Sequence, residues 1–393
     1  MEGLSTRLIH HPYRAPDGFD AAPVAVHKAS TVFFPDVAAM RTRRWQDKSG
    51  YTYGLHGTPT TFTLEERLAT LEGARHCVLA PSGLAAIALV DQALLRSGDE
   101  VLIPDNAYGP NKALAEHELA AWGIAHRVYD PMNPADLAGA ITPRTRLVWL
   151  EAAGSVTLEF PDVPALVDVV RRANVGRARP IVTALDDTWG AGVAYRPFEL
   201  GADIAVQALT KYASGGADVL MGAVCTRDDA LHHAVLMTHM RLGLGVGAND
   251  AELVLRGLPT LALRYHAQDR SARALAAWLA EQPGVAQVLH PALPGSPGHA
   301  HWQRDARAAA ALLTVVFERA VAPPQVDAFC DALRLFRLGY SWAGPVSLCV
   351  PYDVPTMRAR PWPHAPRVVR LAVGLEDVDD LRADLQQALR VLR

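Results

Sequence analysis

Cysteine is scarce in this chain. Four occur in 393 residues (Cys77, Cys225, Cys330 and Cys349), none spaced as a Cys-x-x-Cys pair. That argues against a disulfide framework or a thiolate zinc site and fits a reducing cytoplasm. Charge of one sign is missing too: 38 Lys and Arg stand against 41 Asp and Glu, a formal net charge of −3. No nucleic-acid or anionic-membrane partner is expected from such a balance. No apolar run is long enough to span a bilayer, the nearest (Leu84 to Leu95) being broken by Asp91 and Gln92. The opening MEGLSTRLIHHPYR has no apolar stretch of the secretory kind, so no secretory signal is expected. The paired histidines (His10 with His11, His232 with His233) and His299 with His301 lack further ligands nearby, so no metal is expected either. Low-complexity tracts and internal repeats are absent. What remains is half apolar and a fifth charged, ordinary for a globular protein and long enough for two domains plus an extension.

The most informative stretch runs from Pro180 to Gly222. Its first apolar, β-branched run stops at Asp186 and Asp187 before a turn rich in Gly and Pro. A second run from Ala202 ends at Thr210, Lys211 and Tyr212 and a Gly-Gly pair. Both read as parallel strands buried on two faces, and open α/β sheets bind ligands at the carboxyl ends of such strands. Asp186 and Lys211 then share one sheet edge. Pyridoxal phosphate needs such a pair: a lysine amine to bond its aldehyde, and a carboxylate to keep its ring nitrogen protonated. Spacing alone favours the plainer reading of a helix-capping aspartate and a surface lysine.

The wording around the pair adds to this. ALTKY at 208–212, followed by Gly215 and Asp218, resembles the lysine signature of the Cys/Met-metabolism family of pyridoxal-phosphate enzymes. DDTWGAG at 186–192 resembles that family's pyridine-partner strand, in the version of bacterial cystathionine β-lyases. YTYGLHGTPT at 51–60 resembles its Tyr-x-Tyr-Gly element, and YSW at 340–342 resembles the β-lyase substrate-pocket triplet.

The resemblance implies a site. Lys211 holds the cofactor and moves protons, Asp186 partners the pyridine nitrogen, and Tyr108 stacks on the ring. The Gly83 and Leu84 amides and the Thr210 hydroxyl bind the phosphate, since free amides at a helix start cradle anions. Arg370 clamps the substrate carboxylate beside Tyr340, Ser341 and Trp342, a task suited to a planar guanidinium. Tyr53 is implied to reach a neighbouring subunit, within an obligate dimer usually paired into a homotetramer. Three departures stand out. Leu55 replaces the family's phosphate-binding arginine, which leucine cannot imitate, and His56 beside it either donates in its place or faces solvent. Ala208 stands where many members have serine, and Gly216 and Ala217 replace a His-Ser pair.

Strands alternating with helices from 61 to 222 predict a mostly parallel, doubly wound sheet of the α/β class, the fold-type I architecture that the resemblance implies. The expected division is an N-terminal arm (1–58), a cofactor-binding domain (59–250) and a smaller α+β C-terminal domain (251–393). GLGVGA at 243–248 superficially fits a dinucleotide fingerprint, but what precedes it reads as helix rather than strand, which excludes a nicotinamide site. The implied activity is β-elimination of L-cystathionine, a thioether amino acid, to homocysteine, pyruvate and ammonia. Other activities of the family (cysteine-S-conjugate β-lyase or desulfhydrase, γ-lyase, γ-synthase) share the framework, and a cofactor-binding regulator without turnover is the alternative of a different class.

Overall fold

In strand after strand of the first half, neighbouring residues on the two faces are all apolar. Val78 and Leu79, Val101 and Leu102, and Leu147 and Val148 alternate between two separate hydrophobic cores. A sheet buried on both sides needs this pattern. The computed structural model describes Gly18 and residues 21–392. Its larger sheet contains β1 (His76–Ala80), β2 (Glu100–Pro104), β3 (Ala125–Tyr129), β4 (Thr145–Glu151), β5 (Val182–Asp186), β6 (Ile204–Ala208) and β7 (Gly222–Thr226). They lie in the order β1-β7-β6-β5-β4-β2-β3. The β6-β5-β4-β2-β3 block is parallel, whereas β7 runs antiparallel to both its neighbours. The expected α/β architecture with a mostly parallel sheet is the observed one.

Helix α1 (Pro59–Glu72) starts on a Thr58 capping box and stops at Gly73, whose φ of 71° suits glycine. Helix α2 (Gly83–Leu94) is capped by the Ser82 hydroxyl, which accepts from the Ala85 amide at 3.0 Å. Upstream, the described residues of the segment that reads without period form a short α-helix, Val37–Arg41, and a 3-10 turn, Gly54–His56, and are pinned to the start of α1. Thr60 there accepts from the His27 amide and donates to the Ala25 carbonyl. His10 and His11 lie outside the described residues. The stretch before GLGVGA is helical (Asp229–Leu242) and closes on Gly243, as its sequence predicts.

The second sheet, order β10-β11-β12-β9-β8, is built from β8 (Val285–Leu289), β9 (Leu312–Phe317), β10 (Arg337–Leu338), β11 (Leu348–Asp353) and β12 (Arg367–Ala372). All its pairings are antiparallel except the short β10-β11 one. Helix α3 (Leu261–Leu279) belongs to both cores: Leu261 and Tyr265 pack into the first, and Leu275 and Leu279 into the core under the second sheet. This shared helix joins the second sheet, through β8 and β9, to the core of the first. Among the described residues no helix is long and apolar enough to cross a membrane. All four cysteines are buried free thiols.

Candidate active site

Strands β5 and β6 are direct parallel neighbours, with Asp186 opposite Val206. Asp186 therefore ends its strand beside the turn that carries Lys211. Both line one cavity of about 780 Å³, together with Gly83, Leu84, Tyr108, Thr210, Tyr340, Ser341, Trp342 and Arg370. Ten of the eleven residues singled out from sequence thus meet in one place. Tyr53 does not line the cavity of its own chain; it is half exposed on the arm, near His56. His56 stacks on Trp45 and bonds Thr52, away from the cavity.

The Lys211 amine donates to the Ser341 hydroxyl at 2.6 Å and lies 5.5 Å from the Trp342 ring centre. Ser341 has a φ of 99°, a strained value for a residue with a Cβ, on the loop that presents the triplet to the lysine. Burial and then the nearby Arg370 charge lower the Lys211 amine, against the opposing Asp186 charge, to about 8. Burial raises the Asp186 carboxyl, against the Thr188 amide bond at 3.0 Å and the Lys211 charge.

Two glycines shape the opposite wall. A Cβ on Gly83 would lie 2.6 Å from the Ala208 Cβ, and one on Gly222 would lie 2.3 Å from the Ser82 carbonyl oxygen. Only bare backbone lets the start of α2 press against β6 and β7, which leaves its first amides beside the Thr210 hydroxyl at the cavity wall. Arg370, on β12, reaches in from the second sheet. It is 9% exposed, donates to the Ser341 carbonyl at 3.2 Å, lies 5.3 Å from the Tyr352 ring centre, and keeps a buried Nε without a partner. An unpartnered buried donor of this kind suits an arriving carboxylate.

The sequence reading missed Glu151, Tyr352 and Met357, which also line the cavity. Glu151 sits opposite Asp186 across the β4-β5 pair. It accepts from the Tyr108 amide at 2.7 Å and the Ser155 hydroxyl at 2.6 Å, and burial followed by the Asp186 charge raises it to about 8. Its signal was the placement of an acid at the carboxyl end of a buried strand. Ala217, one of the departures, lines the cavity with a φ of 60°.

The sequence matches the model of the Cys/Met metabolism PLP-dependent enzymes over residues 5–390. The chain belongs to that family. Its cofactor is pyridoxal 5'-phosphate. Cystathionine beta-lyase of Bordetella avium is 40% identical over 97% of this chain and 96% of its own. Cystathionine beta-lyase MetC of Escherichia coli K12 is 35% identical over 97% of both. The crystal structure of cystathionine gamma synthase from Xanthomonas oryzae pv. oryzae in complex with aminoacrylate and cysteine superposes with a TM-score of 0.85. It is 30% identical, over 95% of this chain and 94% of that one. The protein is thus an enzyme resembling the carbon–sulfur lyases of the family. The cavity suits the family's cofactor: an amine of lowered pKa, a buried carboxyl, and a backbone cradle without Cβ atoms face one another across it.

Proposed function

We propose that this enzyme cleaves L-cystathionine at its β-carbon, giving homocysteine, pyruvate and ammonia. The observation that carries the reading is the YSW triplet folded over the lysine, with the Ser341 hydroxyl on Nζ and the Trp342 ring beside it. Full-length likeness to cystathionine β-lyases supports it as well.

Pyridoxal phosphate, when bound, supplies an electron-accepting ring and an aldehyde that joins to amines. Lys211 is the residue that would carry it, with Asp186 at the ring nitrogen and Tyr108 over the ring face. The Gly83 and Leu84 amides and the Thr210 hydroxyl hold its phosphate. Arg370 holds the substrate α-carboxylate, which fixes Cα beside the Lys211 amine. Lys211, as general base, takes the Cα proton. The leaving sulfur at Cβ receives a proton from Lys211 or from a tyrosine, either Tyr108 or Tyr53 of a neighbouring copy. That last role requires a dimer, and we propose the homotetramer usual in the family.

Identifying the keto acid released from L-cystathionine tests the reading. Pyruvate with homocysteine is expected; 2-oxobutyrate with cysteine would make it a γ-lyase, a possibility kept open by the likeness to a γ-synthase.

A second expected outcome concerns pH. Only the unprotonated amine attacks an aldehyde, so capture of added pyridoxal phosphate by the cofactor-free protein accelerates about tenfold per pH unit and levels off above about 8. Visible absorbance after mixing, from pH 6 to 10, follows it. A rate still climbing at pH 10 would contradict the lowered amine.

A further inference from the structure

Directly behind Asp186 lies an acid pair that the chemistry above leaves unused. Asp187 follows Asp186 and points to the other side of the sheet, where Glu72 closes α1. Both are sealed from solvent, at 0% and 1% exposure. Asp187 Oδ2 accepts from the Gly192 amide at 3.0 Å, and Glu72 Oε1 accepts from the Gln207 side chain. One oxygen of each, Asp187 Oδ1 and Glu72 Oε2, has no donor at all. The two carboxyls nonetheless lie in hydrogen-bonding contact, and Tyr195 touches Asp187 as well. Tyr195 has already given its hydroxyl hydrogen to the Ala152 carbonyl, so it offers Asp187 only lone pairs. A Cβ on Gly190 would come 2.2 Å from Asp187 Oδ1, so the backbone closes that side.

Three oxygen groups therefore meet with no hydrogen between them unless a carboxyl carries one. We propose that Glu72 and Asp187 share a single proton, and that this pair is a positioning element for Asp186. The proton sits on Glu72, which donates to Asp187 and leaves the pair's one negative charge on Asp187, beside the group that faces the ring nitrogen. Two ionised carboxylates in a dry site would repel each other and Asp186 strongly. Burial raises both acids; the Asp187 charge raises Glu72 further, whereas the hydrogen bond from Glu72 lowers Asp187, so the shared proton rests on Glu72. The other groups facing the pair are Cys77 on β1, Cys225 on β7, Tyr265 on α3, Tyr195, and Arg196, whose charge opposes the rise on Glu72.

The sign for stability follows. The folded pair keeps its proton to higher pH than the unfolded chain, whose carboxyls titrate near about 4. Stability is therefore lost as pH rises from about 4 through the raised value, and the loss is complete above it. Glu72→Gln supplies an amide hydrogen to Asp187 in place of the shared proton and removes that loss. Its apparent Tm, measured on the cofactor-loaded protein, is expected to gain on the wild type by at least about 3 °C between pH 5 and pH 8. Parallel curves would overturn the shared proton. Asp187→Asn carries the same comparison from the other side, so failure of one variant to fold leaves the other.

The positioning role has its own readout. Glu72→Gln keeps the charge on Asp187, beside Asp186, whereas Asp187→Asn moves it onto Glu72. The apparent pKa of the bound cofactor's visible absorbance is expected to be higher in Glu72→Gln than in Asp187→Asn, with Glu72→Gln matching the wild type at pH 6. Equal values in the two variants would overturn the positioning role. This second arm rests on Asp186 as the acid at the ring nitrogen; the stability arm does not, so the two failures are distinguishable.

Discussion

Lys211→Ala is expected to leave the chain folded and to lower turnover of thioether amino acids by at least about a thousandfold. The Lys211 side chain projects into an open cavity rather than a packed core, and its backbone bonds, Lys211 amide to Ala208 carbonyl and Gly215 amide to Lys211 carbonyl, survive truncation. Chemistry loses more than a proton acceptor. A general base contributes roughly a hundred- to ten-thousandfold, and the same amine is the covalent attachment point for the cofactor. Arginine should not restore it, because guanidinium stays protonated. The checks are steady-state turnover, visible absorbance after dialysis, and an unfolding curve. Turnover near the wild-type rate in a folded Lys211→Ala protein would remove the lysine from the mechanism.

How much of this site was legible in the chain depended on where each residue's neighbours come from. Asp186 and Lys211 stood out because buried parallel strands read as apolar runs, and each run ends in one charged residue at the ligand edge. Gly83, Leu84 and Thr210 came from the family resemblance, since a Ser-Gly helix start taken alone reads only as a cap. The edge strand β3 was not called: its sequence AHRVY is only half buried, so it lacks the apolar signature of its neighbours. The antiparallel turn-back of β7 is also silent, because a strand buried on both faces looks alike in either direction. Tyr352 and Met357 reach the cavity from the second sheet, over 140 residues beyond Lys211, and no local pattern marks a wall assembled that way. Nothing in the sequence around Glu72 marks it as buried. Only the packing of α1 onto β1 and β7, with the Gln207 side chain donating to it, shows that its carboxyl is sealed.

Arg370 sets activity against stability, and Arg370→Leu is expected to move the two in opposite directions. Its guanidinium is nearly buried, burial lowers its pKa, and its Nε has no partner. A charge held this way costs stability until a carboxylate arrives. Leucine removes the unpaired charge and keeps apolar contact with Tyr352, so Tm without substrate should stay level or rise. Catalysis should suffer. Losing one partner of a buried, hydrogen-bonded charge pair costs about 2–5 kcal/mol, which corresponds to roughly a thirty- to several-thousandfold fall in kcat/KM. The loss should be specific to the carboxylate. A thioether amine lacking that group, with no claim on Arg370, should compete with its parent amino acid far better in the variant than in the wild type. Steady-state kinetics on the amino acid, inhibition by the decarboxylated analogue, and thermal unfolding decide it together. An Arg370→Leu protein with unchanged kcat/KM would place the carboxylate clamp elsewhere in the cavity; one that loses Tm would mean that Ser341 and the strained triplet loop depend on the guanidinium for support.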